Sequence, residues 1–196
     1  PEMWDRMQDP LTIAPRRAQP SGVNHVEIYL PEQVMVVFHD DTPRLVTHIS
    51  SGELDANGEP AKYCETITID VDANGNPLPE PVEKAVCGFS KTPGGIFDVD
   101  RFVPGTRVGP LGAMWNPIYF NYGIAIHGAR NVPLTPASHG CIRIPMHISE
   151  YTQDLIAKGD QVYVWNGKKE PEQQTREDEL PVWDFPDPDA TRSEEH

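Results

Sequence analysis

The stretch Ser138-His139-Gly140-Cys141-Ile142-Arg143 places a cysteine beside glycine, and His127 lies fourteen positions before that cysteine. A cysteine nucleophile needs a nearby base, because a free thiol titrates at about 8.5 and presents little thiolate at neutral pH. Glycine lets the chain turn tightly, so that backbone N–H groups can face a developing oxyanion. These residue types predict acyl transfer through a thioester on Cys141.

Two histidines could serve as the base. His127 ends the apolar run Gly123-Ile124-Ala125-Ile126, a strand that would place its ring at the rim of a sheet. His139 is adjacent to the cysteine turn and is the second candidate. A zinc site made by His127, His139 and Cys141 is an alternative, because imidazole and thiolate are usual zinc ligands. Their spacing matches no common zinc pattern, so we expect no metal.

The two motifs together resemble the catalytic domain of the L,D-transpeptidase (YkuD-type) family. In that family a histidine is followed, after somewhat over ten residues, by Ser-His-Gly-Cys, an aliphatic residue and Arg or Asn. The family-like element Lys91-Thr92-Pro93-Gly94-Gly95-Ile96-Phe97 lies upstream in the expected order. The resemblance covers about residues 23–166.

The resemblance also implies roles for individual residues. His127 takes the position of the family's base, and its partner is the backbone carbonyl of the next residue, Gly128. His139 would help to shape the oxyanion pocket. The backbone N–H groups nearest the nucleophile, those of His139, Gly140 and Cys141, would bind the oxyanion.

Four further residues are candidates for substrate binding. Arg143 could pair with a substrate carboxylate, which a guanidinium binds through two parallel hydrogen bonds; the alternative is a structural tie to a loop. Ser138 begins the motif and is grouped with it. In the family the stretch between residues 91 and 127 forms a flap over the cysteine, so Trp115 and Tyr119 could line an acceptor groove. Aromatic side chains are more often part of a core.

By resemblance the substrate is a peptidoglycan tetrapeptide stem. Cys141 would attack the carbonyl before the terminal D-Ala, and an amine of a second stem would resolve the thioester into a 3→3 cross-link. The resemblance implies no cofactor and predicts inhibition by β-lactams of the carbapenem class. A cysteine carboxypeptidase or endopeptidase, with water as acceptor, is an alternative. A non-catalytic cell-wall-binding module is another, although it would be expected to have a degraded motif.

Length and charge limit the class of protein. The chain has 196 residues, enough for one domain with extensions. A net charge of −14 argues against nucleic acid as a partner. Mean hydropathy is −0.50, and no stretch reaches the roughly 18 apolar residues of a membrane span. The chain begins at Pro1, so we expect any export signal or anchor to have been removed or left out.

The other two cysteines, Cys64 and Cys87, flank the turn-rich stretch of residues 72–77. A disulfide between them would stabilise the fold by ~3 kcal/mol and would require an oxidising compartment, which favours export. The alternative is two small buried thiols. The residues from Asp70 to Gly75 also copy the start of an EF-hand loop, but Pro81 replaces its final glutamate. A β-turn is therefore the preferred interpretation over calcium.

The surrounding sequence predicts a mainly β fold, a sandwich or barrel-like catalytic domain with one short helix after the catalytic motif. Residues 23–30, 33–39 and 44–50 predict a β-meander. Further short strands are expected at residues 65–71, 85–89, 95–99, 123–127 and 161–165.

The helix should begin near His147 or Ser149, stop before Gly159 and brace the Cys141 turn from behind. Its buried face would hold Ile148, Tyr151, Leu155 and Ile156. Outside this domain, residues 1–22 are predicted to form a proline-rich linker or arm. Residues 167–196 are predicted to form an acidic tail, in which Val182, Trp183 and Phe185 could dock on the domain.

Overall fold

A computed structural model describes residues 13–72 and 76–182. These residues form twelve β-strands, one α-helix and a 3-10 turn at Pro171–Gln173. In chain order the strands and the helix are β1 (Asn24–Tyr29), β2 (Val34–His39), β3 (Thr42–His48), β4 (Lys62–Val71), β5 (Pro77–Phe89), β6 (Gly95–Asp98), β7 (Arg101–Phe102), β8 (Thr106–Gly109), β9 (Gly112–Asn121), β10 (Ile124–Ala129), β11 (Ile142–Pro145), α1 (Met146–Leu155) and β12 (Gln161–Trp165).

The strands form two main sheets and one separate hairpin. The first sheet has the order β3-β2-β1-β12-β6, with β1 parallel to β12. The second has the order β11-β10-β9-β7, with β8 paired to β9. Strands β4 and β5 pair only with each other in an antiparallel hairpin. The predicted meander is present as β1, β2 and β3.

One apolar core lies between the two main sheets. Alternate residues of each strand point to this core, as the period of two in a strand requires. The first sheet contributes Val26, Ile28, Met35, Val37, Val162 and Val164, and the second contributes Ile118, Phe120, Ile124, Ile126, Ile142 and Ile144. The predicted mainly β class is confirmed, and within the described residues one helix follows the catalytic motif.

The opposite face of β1 is covered by the N-terminal arm. The buried carboxylate of Glu27 accepts hydrogen bonds from the backbone N–H groups of Arg16 and Arg17, at 2.6 and 3.0 Å. The Arg16 guanidinium also pairs with Glu170 at 2.7 Å. Residues 13–22 therefore lie on the domain, while residues 1–12 of the predicted arm are outside the described range.

Helix α1 follows β11 directly but differs from the prediction on one face. Tyr151 is 61% exposed, so its placement on the buried face was wrong. The buried residues are Ser149 and Thr152, with Ile148 and Leu155 partly buried. The physical reason is the helical period: the face toward the sheets runs through positions 148, 149, 152 and 155, with Ser149 against Gly128 of β10, and position 151 lies outside it. At ten residues the helix is far shorter than a membrane span, and no longer apolar helix occurs among the described residues.

The described start of the acidic tail also contacts the domain. The backbone N–H of Phe89 donates to the carbonyl of Val182 at 2.9 Å, and the Asn121 amide donates to the Glu179 carbonyl at 2.7 Å. Trp183 and Phe185, which were expected to dock, lie outside the described residues. Residues 167–182 thus extend the folded unit beyond β12.

Candidate active site

Strands β10 and β11 bring His127 and Cys141 to one face of the second sheet. The two strands are parallel, and His127 pairs with Arg143. Paired residues in parallel strands point to the same side, and so do residues two positions apart. Cys141, His127 and Arg143 accordingly all line one cavity of about 550 Å³.

The His127 ring has a defined orientation and tautomer. Its Nδ1 lies 3.0 Å from the Gly128 carbonyl oxygen, and the ring is 6% exposed. A carbonyl only accepts hydrogen bonds, so Nδ1 carries the proton. Burial lowers the pKa of His127 from 6.5 to about 4; the bond to Gly128 opposes this change and the positive charge of Arg143 adds to it. The imidazole is therefore neutral at pH 7, with an Nε2 lone pair that can accept a proton.

Gly128 is required for more than its carbonyl. A Cβ atom at this position would come within 2.8 Å of the Ser149 Cβ, on helix α1. The helix therefore packs directly behind the strand that holds His127. It contacts β10 here and β11 as well, the strand that follows Cys141; support of the Cys141 turn itself stays a prediction.

The turn before Cys141 is shaped by the buried hydroxyl of Ser138. This hydroxyl accepts from the Gly140 N–H at 3.0 Å and donates to the Cys141 carbonyl at 2.5 Å. Ser138 is 3% exposed but belongs to the cavity lining, and both of these hydrogen bonds hold the turn. Its predicted contact with substrate stays a prediction. The Gly140 N–H, a candidate oxyanion donor by sequence, is already engaged in this arrangement.

Gly140 instead contributes its backbone conformation. Its φ is +135°, a value that L side chains rarely adopt, and a Cβ would lie 2.7 Å from the Lys91 carbonyl oxygen. The hydroxyl of Thr92 donates to the Gly140 carbonyl at 2.6 Å and accepts from the Gly52 N–H at 2.8 Å. Thr92 thus ties the motif of residues 91–97 to the Cys141 turn, a role that nothing in the local sequence indicated.

Cys141 is partly exposed to the cavity and belongs to no disulfide. Its thiol donates a weak hydrogen bond to the Gly123 carbonyl, with 3.5 Å between sulfur and oxygen. Gly123 precedes β10, so this hydrogen bond holds the Cys141 thiol beside the strand that carries His127.

The cavity is cationic although the chain is acidic. Arg107, Arg130 and Arg143 all line it, and its lining among the described residues includes neither aspartate nor glutamate. An arginine guanidinium binds a carboxylate through two parallel hydrogen bonds of defined geometry. The expected placement of Arg143 toward a ligand is therefore compatible with the structure, and Arg107 and Arg130 are additional cations that the sequence did not single out.

The two predicted aromatic residues also reach the cavity. Trp115 lines it while its indole N–H donates to Glu150 of helix α1 at 2.8 Å. Tyr119 is only 3% exposed and lies under the Arg101 guanidinium, 3.8 Å from its ring centroid. Trp115 is thus the more accessible of the two. Strands β8 and β9 form a hairpin whose turn is residues 110 and 111, and this hairpin forms a flap-like wall of the cavity.

His139 lines the cavity and contacts the β4–β5 hairpin. Its Nε2 is 2.5 Å from Glu65 Oε1, and its ring meets the Tyr63 ring edge-on, with centroids 4.7 Å apart. Neither Tyr63 nor Glu65 was a candidate in the sequence, because nothing local in β4 indicates a partner 74 residues away. The two histidines are therefore held by different elements: His139 contacts the β4–β5 hairpin, whereas His127 is held by its own strand, β10.

The two remaining cysteines, Cys64 and Cys87, lie opposite each other in the β4–β5 hairpin and form a disulfide.

Within residues 13–72 and 76–182 no cluster of His, Cys, Asp or Glu is suited to a metal ion. Asp72 accepts a hydrogen bond from the Asn76 N–H at 2.9 Å. Residues 73–75 of the EF-hand-like stretch lie outside the described residues.

Comparison with known families identifies the domain. The family model of the YkuD L,D-transpeptidase catalytic domain matches residues 23–164. The chain therefore belongs to the L,D-transpeptidase catalytic-domain family, as the two motifs predicted. A search of curated protein sequences found no significant match.

Solved structures agree on the fold. An L,D-transpeptidase from Xylanimonas cellulosilytica is 25% identical, with a TM-score of 0.59, and the match covers 84% of this chain and 70% of that one. L,D-transpeptidases from Stackebrandtia nassauensis and Mycobacterium tuberculosis are each 15% identical with TM-scores of 0.50. Those matches cover 83% and 74% of this chain but only 63% and 58% of theirs. The latter two show the fold alone.

Proposed function

We propose that this chain is a peptidoglycan L,D-transpeptidase that forms 3→3 cross-links through a thioester on Cys141. The observation that carries the proposal is the shared cavity of Cys141 and a neutral, oriented His127, in a chain of the L,D-transpeptidase family. The nucleophile and base residue types, their common face and the fold all favour cysteine acyl transfer.

In the first half-reaction His127 Nε2 takes the thiol proton as Cys141 Sγ attacks the carbonyl that precedes the terminal D-Ala. A carbon–sulfur bond forms, and the resulting tetrahedral intermediate carries an oxyanion. Collapse breaks the carbon–nitrogen bond, and the His127 imidazolium gives its proton to the departing amine. D-Ala leaves, and a thioester remains on Cys141.

Backbone donors at the turn would stabilise the oxyanion. Because the Gly140 N–H is occupied by Ser138, the N–H groups of His139 and Cys141 are the donors proposed for this role. Such preorganised donors are worth a factor of about a hundred to a thousand in rate. Gly140 supports them through its backbone conformation and the close approach of Lys91.

In the second half-reaction an amine of a diamino acid on another stem attacks the thioester. The new amide forms, the carbon–sulfur bond breaks, and His127 carries the amine proton to the departing thiolate. The cationic lining, in which Arg143 pairs with His127 across β10 and β11, suits stem peptides that carry free carboxylates. Trp115 and the β8–β9 hairpin would border the acceptor stem.

We also propose that the protein works outside the cytoplasm, in the periplasm or cell wall. The Cys64–Cys87 disulfide supports this location, because structural disulfides persist in oxidising compartments. The proposed substrate is found there as well.

The test is incubation of the protein with a purified disaccharide tetrapeptide, followed by mass spectrometry of the products. Cross-linked dimer and released D-Ala are expected from the wild type, and neither from Cys141→Ala. A trimmed monomer without dimer would mean that water is the acceptor and that the protein is a carboxypeptidase. An unchanged substrate would favour a wall-binding module.

A further inference from the structure

The β4–β5 hairpin contacts the catalytic turn through one residue, His139. Glu65 Oε1 lies 2.5 Å from His139 Nε2, and the Tyr63 ring packs edge-on against the imidazole at an interplanar angle of 75°. Tyr63 and Glu65 are two residues apart on β4, so both project from the same face of the strand. The hairpin thus contacts the His139 imidazole twice, through the Glu65 carboxylate and through the Tyr63 ring.

Cys64 lies between these two contact residues. It pairs with Cys87 directly across the hairpin, where Tyr63 pairs with Gly88 and Glu65 with Val86. A two-stranded hairpin by itself is marginally stable in water, and β4–β5 joins neither main sheet. The disulfide therefore fixes the strand register at the point where β4 meets His139.

The Glu65 contact constrains the chemistry of the His139 ring. A carboxylate oxygen accepts the hydrogen bond, so the proton of this bond belongs to Nε2 of the imidazole. His139 is on a turn, with its side chain 27% exposed, and has no strand pairing that would hold its ring. The orientation of the imidazole beside Cys141 consequently depends on the hairpin.

We propose that Glu65 and Tyr63 are positioning residues for His139, held in register by the Cys64–Cys87 disulfide, and that they act through His139 on the acylation of Cys141. The inference rests on the proposed function and deepens it. The Glu65 side chain is 46% exposed, so solvent screens its contact with His139 and the contact adds little to the stability of the fold. The contact therefore has a small part in folding and a larger part in ring placement.

The first experiment compares Glu65→Ala and Glu65→Gln with the wild type. The readout is the rate of Cys141 acylation by a carbapenem, followed by intact mass. Glu65→Ala should be slower by about tenfold, less than the roughly hundredfold loss that a 1 Å misplacement can cause. Glu65→Gln should retain most of the rate, because the amide oxygen still accepts from Nε2. Glu83→Gln, an exposed glutamate of β5 in the same hairpin, is the matched control and should react like the wild type.

A double-mutant cycle with His139→Ala separates positioning from a general effect on the fold. If Glu65 acts through His139, Glu65→Ala should cause no further loss in the His139→Ala background. The Cys64→Ser and Cys87→Ser pair should likewise slow the wild type and leave His139→Ala unchanged. Losses that simply add would mean that the hairpin acts elsewhere, and would overturn the proposal.

Nitrogen-15 NMR of the His139 ring gives a readout that needs no turnover. In the wild type the shifts should report a proton held on Nε2, and in Glu65→Ala they should move toward a mixture of tautomers. A wild type that no carbapenem acylates would contradict the proposed function, while the ring shifts would still test the contact. The proposal is wrong if Glu65→Ala leaves either the ring shifts or the acylation rate unchanged.

Discussion

The Nδ1 atom of His127 lies 3.0 Å from the carbonyl oxygen of Gly128, the next residue of β10. This bond within one strand fixes the orientation and tautomer of the imidazole before any substrate binds, because it holds the proton on Nδ1 and leaves Nε2 as an acceptor. Burial then lowers the pKa of the ring to about 4. The site therefore rests with a neutral imidazole that is ready to take a proton.

The first prediction is the acid limb of the reaction. A base acts only when unprotonated, so acylation should fall as the pH drops through the pKa of His127, with a midpoint at about pH 4. Above this value the ring stays neutral, and its titration should cause no loss. Carbapenem acylation rates measured from pH 3 to 8 would check this. A midpoint near 6.5, the ordinary histidine value, would contradict the buried environment of His127.

The second prediction ranks the two histidines. His127→Ala should lose a factor of about a hundred to ten thousand in acylation rate, the range expected for general-base assistance. His139→Ala should lose less, because backbone donors at the turn remain. Acylation rates of both variants across a pH series would measure the difference. If His139→Ala lost more, the roles of base and pocket residue would have been exchanged.

The position of these two histidines was only partly predictable from sequence. The strand predicted at residues 123–127 and the family-like motifs indicated that His127 and Cys141 act together. Strand β11 and its parallel pairing with β10 were not predicted, and they are what bring the two residues to one face. The Glu65–His139 contact had no such signal, since it joins segments 74 residues apart through a tertiary contact. Tyr151 was misplaced because an apolar pattern does not show how closely a helix approaches a sheet.

The lengths of strands β5 and β9 were also not predicted from the sequence. The sequence predicted a strand only at residues 85–89, whereas β5 runs over Pro77–Phe89 and includes Pro77, Pro79 and Pro81. Proline removes a ladder donor, but a two-stranded hairpin has an unpaired edge where that donor is not needed. The ten-residue strand β9 was not predicted at all; Pro117 interrupts its pattern, and the structure accommodates Asn116 there with a φ of +46°.

The third prediction identifies the acylated atom. A carbapenem presents a strained lactam carbonyl that resembles the scissile amide, so the wild type should gain the mass of one inhibitor. Cys141→Ala should gain none, since it lacks the thiol, and its thermal unfolding should stay close to that of the wild type. An adduct that persists in Cys141→Ala would place the reaction at another residue.

The fourth prediction concerns Thr92, whose hydroxyl joins Gly52 to Gly140. Thr92→Val keeps the shape but leaves the Gly52 N–H and the Gly140 carbonyl without this partner, so stability should fall by about 1–3 kcal/mol. Acylation should slow as well, because the Gly140 turn loosens. Thr92→Ser keeps the hydroxyl and serves as the control. If denaturant unfolding gave Thr92→Val and Thr92→Ser the same stability, this role for the hydroxyl would be excluded.

The last prediction is the pairing of the cysteines. Non-reducing peptide mapping should find Cys64 joined to Cys87 and Cys141 as a thiol, because the first two face each other across β4 and β5 while the third lines the cavity. Replacing both hairpin cysteines by serine should lower stability by ~3 kcal/mol, the loop-closure value for about two dozen residues. Three titratable thiols in the denatured, unreduced protein would contradict the disulfide and remove the support for an oxidising compartment. The assignment of Cys141 and His127 would stand, since it depends on β10, β11 and the Ser138 turn.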